Sequence, residues 1–153
     1  MIRIWIATSL FLGFVQGAFA DAVIHLDHLQ PLVNAKAQES LDGKVLLYFW
    51  ASWCPDCRDK LVEAIPQLQK DFPAVKIVSI NADRDSAKGK NFAESEKLTL
   101  PVYRDEEKSL TKELKLFAVP AWAFIEKSKS GEWTVKSSST GSDLAEIRNQ
   151  LKR

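Results

Sequence analysis

Two runs rich in large apolar residues stand out in the middle of the chain. Val45-Leu-Leu-Tyr-Phe-Trp50 and Val75-Lys-Ile-Val-Ser-Ile80 have the length and composition of strands buried on both faces of a sheet. Between them, four apolar residues recur at intervals of four, three and four positions, which predicts an amphipathic helix. Pro66 falls within this helix and predicts a kink. The four apolar residues are Leu61, Ile65, Leu68 and Phe72.

The alternation of helices and strands continues after the second run. Residues 85–97 are charged and weakly periodic, which favours a surface helix, and Leu100-Pro-Val-Tyr103 predicts a short strand. Three apolar positions with helical spacing then predict another helix, and the acidic residues before them suit its N-terminus. These positions are Leu110, Leu114 and Phe117.

The C-terminal part predicts a hairpin and a closing helix. Ala121-Trp-Ala-Phe-Ile125 and Trp133-Thr-Val135 flank the turn sequence Ser128-Lys-Ser-Gly131. Asp143 can cap a helix that carries Glu146 three residues later. Strands and helices that alternate and then end in a hairpin and a helix imply an α/β fold, in which helices flank both faces of a central mixed β-sheet.

The first twenty residues differ from the rest of the chain. Arg3 precedes an apolar run over residues 4–15, which is too short to span a membrane comfortably. Ala18-Phe-Ala20 has the small-residue pattern of a signal-peptidase site. We therefore expect residues 1–20 to be a signal peptide cleaved near Ala20, with an uncleaved anchor as the alternative. The protein would then be periplasmic, or otherwise secreted across the bacterial inner membrane.

Length and charge describe one neutral domain. The chain has 153 residues, and we expect residues 21–42 to form an irregular lead-in with one short strand or helix, and residues 43–153 to form the domain. The whole chain holds 21 basic and 20 acidic residues, and the predicted signal peptide contains one basic residue and no acidic one. The remainder is therefore neutral, which gives no electrostatic reason to expect nucleic acid or an anionic membrane as a partner.

Both cysteines of the chain lie in Trp50-Ala-Ser-Trp-Cys-Pro-Asp-Cys-Arg58, directly after a predicted buried strand. A purely structural disulfide across so short a loop would contribute only about 2 kcal/mol in the chain-entropy view. A zinc site needs four ligands, and the two histidines, His25 and His28, lie in the lead-in. We therefore expect no metal and no other cofactor.

The third interpretation is a redox-active pair. A strand that ends at Trp53 and becomes a helix at Pro55 would place Cys54 at the helix N-terminus, where unpaired N–H groups and the helix dipole stabilise a thiolate. Cys57 would return to the same side of the helix in a more enclosed position. In this hypothesis Cys54 attacks a disulfide of a partner protein, and Cys57 resolves the mixed disulfide.

Several segments together resemble a known family. Phe49-Trp-Ala-Ser-Trp-Cys-Pro-Asp-Cys57 is similar to the active-site motif of the thioredoxin superfamily, and Val119-Pro120 is similar to its cis-proline loop. Within that superfamily, four segments in order resemble the secreted TlpA/ResA-like thiol-disulfide oxidoreductases, from about residue 40 to the C-terminus. These segments are residues 43–54, 78–83, 100–105 and 117–120.

The resemblance implies a thioredoxin-like fold and a protein disulfide oxidoreductase. It implies that the Val119-Pro120 bond is cis, that the Val119 backbone pairs with a substrate strand, and that Trp53 borders the same groove. Trp122 is assigned equally to this groove or to the core, and Trp50 to the interior. The resemblance also implies a reductase of exported proteins, such as clients of cytochrome c maturation, supplied by a membrane electron donor. We expect a monomer.

Two positions that depart from the family pattern bear on proton transfer, and a residue between the cysteines bears on redox potential. Thioredoxins carry a buried aspartate six residues before the first cysteine, whereas this chain has Tyr48, which is protonated at neutral pH and is a poor base. Lys60 replaces a glutamate often found three residues after Cys57, and is either solvated or a charge that favours the thiolate. Asp56 is expected to disfavour the thiolate and make the pair more reducing than a strong oxidase. Pro55, Asp56 and Lys60 are the expected redox-tuning residues.

Three other functions can be weighed against the reductase. A disulfide-introducing oxidase would share the cysteine motif, but the large helical insertion of that branch has no room between Val75 and Pro120. A copper-delivery chaperone of this fold would have three residues between its cysteines and a later histidine, and no histidine follows His28. A redox-inert thioredoxin-like binding module would need neither Cys54 nor Cys57.

Overall fold

The structure, a computed structural model, describes residues 22–36 and 41–153; the predicted signal peptide, residues 1–20, lies outside the described residues. Its centre is one mixed sheet. The strands are β1 Val23–Ile24, β2 Gln30–Val33, β3 Lys44–Trp50, β4 Val75–Asn81, β5 Val102–Arg104, β6 Ala121–Lys127 and β7 Trp133–Thr140. Their order is β1-β7-β6-β3-β4-β5-β2. β3 pairs in parallel with β4 and antiparallel with β6. The two apolar runs are thus neighbours at the middle of the sheet, where both faces of a strand are covered.

The helices are α1 Pro55–Asp59, a π-helical turn Lys60–Ala64, α2 Ile65–Asp71, α3 Ser86–Ser95, α4 Ser109–Glu113 and α5 Leu144–Leu151. The first three form one continuous helical segment, and its irregularity lies directly before Pro66. There the Ile65 N–H donates to the Lys60 carbonyl, five residues back. A wider turn suits this position because proline has no N–H to donate and its ring crowds the preceding turn. Within the described residues, no helix combines the length and the apolar character needed to cross a membrane.

Alternate residues of β3 face opposite sides of the sheet, as the period of a strand requires. Leu46, Tyr48 and Trp50 belong to a buried cluster with apolar residues of the helical segment, α3 and α5. Val45, Leu47 and Phe49 belong to a second cluster, with α4 on the other face. The predicted mixed sheet with helices on both faces is therefore confirmed.

The elements predicted for the C-terminal half are mostly confirmed. Helix α3 falls within the predicted range 85–97. β6 and β7 form the antiparallel hairpin. Asp143 caps α5 as predicted, because its Oδ1 accepts the N–H groups of Ala145 at 2.8 Å and Glu146 at 3.3 Å.

The lead-in contributes more to the sheet than its sequence predicts. It supplies two short strands instead of one element: β1 pairs with β7, and β2 pairs with β5 at the opposite edge. Leu26 and Leu29 are buried in the α4-side cluster. Since α4 is a single short helix, these leucines cover apolar sheet surface that α4 leaves open.

Helix α4 ends earlier than the apolar spacing predicts. Its last residue is Glu113, and Lys115 adopts a left-handed conformation with φ of 54°. The Leu116 N–H donates to the Thr111 carbonyl at 3.0 Å, which is the closure of a Schellman motif. Glycine usually occupies the left-handed position, so a lysine there gives no stop signal. Phe117, one of the three positions that predict this helix, lies beyond its end and is 86 % exposed, so the predicted extent of the helix was wrong.

Candidate active site

The two cysteines lie where β3 gives way to α1. They form a disulfide with their Cα atoms 5.3 Å apart. Cys54 is the residue that precedes α1, and Pro55 is its first residue, a position where a missing N–H leaves no hydrogen bond unmade. Cys54 is 6 % exposed, whereas Cys57 is fully buried. The predicted positions of Cys54 at a helix N-terminus and of Cys57 in a more enclosed place are confirmed, although β3 ends at Trp50 and not at Trp53 as predicted.

The surroundings of Cys54 favour a negative charge on its sulfur. The Cys57 N–H donates to Cys54 Sγ at 3.2 Å. A donor aimed at this sulfur, together with the positive end of the helix dipole, stabilises the thiolate that forms when the disulfide is reduced. Because Cys57 has no exposed surface and Cys54 has a small one, Cys54 is the more accessible of the two cysteines.

A buried polar network holds the turn that carries Cys54. Asp83 is buried, and its two carboxylate oxygens accept the N–H and the hydroxyl of Ser52, each at 3.0 Å. Asn81 Nδ2 donates to Asp83 Oδ2 at 2.8 Å. The Ala82 N–H donates to the Trp50 carbonyl at 2.8 Å. The end of β4 is thus tied to the turn after β3, directly before the cysteines.

Sequence reasoning did not predict this network. Residues 78–83 were recognised only as a family landmark, and the role of Asp83 was missed. The available signal was a pair of polar side chains at the end of a buried strand, where a parallel sheet brings functional groups together.

Helix α3 contacts both the end of β4 and the helix that follows Cys54. Gly89 packs so closely on Asn81 that an added Cβ would lie 2.3 Å from its Oδ1. The Arg58 guanidinium forms an ion pair with Glu96 and lies 5.7 Å from the centre of the Phe92 ring. These contacts hold α1, the helix that follows Cys54 and contains Cys57, against α3.

A cavity of about 370 Å³ adjoins the site. Trp53, 69 % exposed, and Phe117 both line it, as does Val119. The Val119-Pro120 bond is cis, as the resemblance implies. Trp53 and Val119 thus line one cavity, and their part in substrate binding stays a prediction. Trp122 and Trp50 are both buried in the core, which settles Trp122 as an interior residue.

Tyr48 lies where thioredoxins carry a buried aspartate. Burial raises its pKa from 10.0 to about 12; the Ser142 side chain lowers the pKa in part, and the Asp56 charge raises it further. The hydroxyl makes no hydrogen bond of normal geometry with the described residues. Tyr48 is therefore neutral at physiological pH and cannot accept a proton from Cys57.

The Tyr48→Phe variant is expected to keep turnover within about twofold. Its stability at pH 7 should differ from wild type by less than about 1 kcal/mol, because the buried hydroxyl has no hydrogen bond of normal geometry to lose. In the unfolded state Tyr48 ionises near pH 10, whereas the folded state keeps it protonated up to about pH 12. The free energy of unfolding of the wild type should therefore fall as the pH rises from 10 to about 12. The variant should lack that loss. Urea unfolding between pH 7 and 12 measures both effects, and a tenfold fall in turnover would show that the hydroxyl takes part in proton transfer.

The other predicted tuning residues lie close to the dithiol along the helix. Asp56 is exposed in the first turn of α1. Lys60 is half-buried one turn after Cys57, and its N–H donates to the Cys57 carbonyl. Their effects on redox potential remain predictions. In the ranges 22–36 and 41–153, no group of three or more His, Cys, Asp and Glu side chains is arranged to hold a metal ion.

Comparisons with known proteins agree with the fold and the motif. The AhpC/TSA family profile matches residues 28–130. Sporulation thiol-disulfide oxidoreductase A of Bacillus subtilis is 32 % identical over 107 residues, which cover 61 % of this chain and 62 % of that protein. Thioredoxin-like protein YneN, from the same organism, is 32 % identical over 77 residues, 48 % of this chain and 45 % of that protein. The chain thus spans less than two thirds of the length of either relative.

The structure is also similar to solved thioredoxin-like proteins. The crystal structure of StoA from Bacillus subtilis has a TM-score of 0.61 and 26 % identity, covering 88 % of this chain and 99 % of that one. These similarities confirm the predicted thioredoxin-like fold. Since the family profile spans more than half of its residues, the chain belongs to the AhpC/TSA family of thioredoxin-like proteins.

Proposed function

We propose that the chain is a thiol-disulfide oxidoreductase that reduces disulfides in exported proteins. The observation that carries this proposal is the N–H of Cys57 aimed at Cys54 Sγ, at a helix N-terminus where Cys57 is buried and Cys54 is not wholly so. This arrangement separates an attacking sulfur from a resolving one.

The proposed reaction starts from the reduced dithiol. The Cys54 thiolate attacks one sulfur of the substrate disulfide, forms a mixed disulfide, and releases the other substrate sulfur as a thiolate, which takes a proton from solvent. Cys57 loses its proton and attacks the Cys54 sulfur. This breaks the mixed disulfide, frees the second substrate thiol, and leaves the Cys54–Cys57 disulfide. Two electrons have then passed from the protein to the substrate.

Location, donor and substrate contacts belong to the same proposal. The predicted signal peptide supports a periplasmic or secreted protein, and disulfide substrates persist there. A membrane electron donor would return the dithiol to its reduced form, and clients of cytochrome c maturation would be among the substrates. The protein would act as a monomer. Val119 lines the cavity beside Trp53, which supports a role for Val119-Pro120 in binding an extended substrate segment.

The test measures both directions of electron flow. With dithiothreitol as donor, we expect the full chain to accelerate reduction of insulin disulfides well above the uncatalysed rate. With the protein in its disulfide form, we expect slow oxidation of a reduced, unfolded protein. If oxidation is faster than reduction, the alternative function of a disulfide-introducing oxidase would be favoured. Acceleration of neither reaction would favour a redox-inert binding module.

Replacement of Asp56 is expected to change the redox potential. Asp56 opposes a thiolate on the neighbouring cysteines, whereas a histidine can donate to that thiolate and stabilise the reduced form. We therefore expect the Asp56→His variant to be more oxidising, by on the order of 30 mV, which is a tenfold change in the equilibrium with glutathione. Asp59→His, one turn farther from Cys54, is the matched control and should shift much less. Equal shifts in the two variants, or a shift to lower potential, would contradict the role of Asp56.

A further inference from the structure

Two exposed aromatic side chains face one cavity. In the part of the chain that the structure describes, the exposed large apolar residues are Val23, Trp53 and Phe117. Trp53 and Phe117 both line the 370 Å³ cavity, and Val23 does not. Large apolar side chains that share an exposed groove mark a binding surface, because their exposure to water is unfavourable unless a partner covers them.

The backbone holds Phe117 at this position. The Schellman closure at Lys115 turns the chain out of α4, and the next residue, Leu116, is buried in the core. Val119 lies two residues after Phe117 and lines the same cavity. Phe117 is therefore anchored on both sides, and its exposure is a consequence of the fold.

The charges in the cavity wall favour an anion. Lys108 and Lys112 line the wall, and Lys112 Nζ donates to the Glu107 backbone carbonyl, an uncharged group, at 3.4 Å. The acidic residue in the lining is Asp105, and its Oδ2 already accepts the N–H and hydroxyl of Thr111 at 2.9 and 2.7 Å. A carboxylate entering this end of the groove would meet two lysines and one aspartate, and that aspartate is buried in the wall.

We propose that Phe117 is a specificity-determining residue for disulfide substrates. With Trp53 it encloses a bulky apolar side chain beside the reactive cysteine of an extended substrate segment, while Lys108 and Lys112 attract a carboxylate farther along that segment. The inference rests on the proposed reductase function and adds its substrate class: disulfides flanked by apolar and then acidic residues.

The test uses three synthetic peptides, each with its cysteine disulfide-bonded to 2-mercaptoethanol. Their sequences are Glu-Leu-Cys-Leu-Glu, Glu-Ser-Cys-Ser-Glu and Lys-Leu-Cys-Leu-Lys. The reduced full chain is mixed with each peptide in a stopped-flow instrument, and second-order rate constants are compared as ratios. We expect the first peptide to react about tenfold faster than the second, the range expected for one enclosed apolar side chain. It should react about threefold faster than the third at low salt, with the difference shrinking as salt screens the charges.

Variants assign these preferences to residues. Phe117→Ser should reduce the leucine-to-serine ratio to about twofold, and Phe117→Leu should largely retain it. Lys108→Glu combined with Lys112→Glu should invert the charge preference. Val23→Ser and Lys129→Glu, at residues that do not line the cavity, are the matched controls and should keep both ratios. A general loss of activity cancels in a ratio, so a destabilised variant does not imitate the expected result.

Two outcomes would overturn the proposal and are distinguishable from failure of the proposed function. Unchanged ratios in Phe117→Ser and in the double lysine variant would remove these residues from substrate selection. Equal rates of the wild-type protein with all three peptides would show that it does not select substrates by apolar or acidic residues. In both cases the chain would still reduce bis(2-hydroxyethyl) disulfide, whereas no reaction with that reagent would defeat the oxidoreductase function.

Discussion

A Cys57→Ser variant is expected to stay covalently attached to its substrates, and a Cys54→Ser variant is expected not to react with them. Cys54 is the more accessible cysteine and Cys57 is buried within bonding distance of it, so in the proposed reaction Cys54 attacks and Cys57 displaces the partner. Without the Cys57 thiol, the mixed disulfide on Cys54 waits for a thiol from solution. Because an intramolecular nucleophile in bonding position has a very high effective concentration, we expect its removal to slow release more than about a thousandfold.

The measurement is non-reducing electrophoresis after expression of each full-length variant, followed by mass spectrometry of the attached proteins. The control is the double variant Cys54→Ser, Cys57→Ser, which should capture nothing. Turnover with insulin should fall to the uncatalysed rate in all three variants. Capture of substrates on Cys57 in the Cys54→Ser variant would reverse the assigned roles. Capture of newly exported, reduced proteins by Cys57→Ser would contradict the proposed direction of electron flow.

The Gly89→Ala variant is expected to lower the free energy of unfolding by about 2–3 kcal/mol, although alanine is the better helix former. An added Cβ would lie 2.3 Å from Asn81 Oδ1, and Asn81 is held from the other side by Asp83. The Asn81 side chain must therefore move, which breaks its two hydrogen bonds with Asp83 and leaves buried polar atoms unpaired.

A double-mutant cycle with Asn81→Ala tests this cause. The Asn81→Ala variant removes the atoms that the new Cβ meets, so the added cost of Gly89→Ala should be small in that background. Lys90→Ala, at an exposed position of the same helix, is the control for helix propensity and should change stability by less than about 0.5 kcal/mol. Additive effects of the two replacements, or a Gly89→Ala variant more stable than wild type, would show that the contact does not constrain the site.

Local patterns were sufficient to predict the central strands and the cysteine site. β3 and β4 carry near-continuous apolar runs, and a buried parallel strand needs that composition wherever it lies in a fold. The position of Cys54 follows from a strand that ends before a Pro-containing first helical turn, and each of these signals spans only a few residues. The cap of α5 by Asp143 is equally local.

Contacts between distant segments decided the rest. The strands of the lead-in exist because the edges of β7 and β5 are free to pair with them, which their own sequence does not record. The link from Asp83 to Ser52 joins residues 31 positions apart, and only the parallel alignment of β3 and β4 brings them together. Trp122 is in the core because of its neighbours in the sheet.

The apolar and polar pattern alone therefore determined the sheet, the order of its main elements and the place of the two cysteines, because these depend on periodicity and on short capping signals. Only the tertiary structure decided which side chains form the surface beside the two cysteines. Phe117 has the spacing of a core residue, yet the left-handed turn at Lys115 leaves it exposed, in the lining of the same cavity as Trp53. Whether an apolar side chain is buried depends on what packs over it, and that is a property of the whole fold.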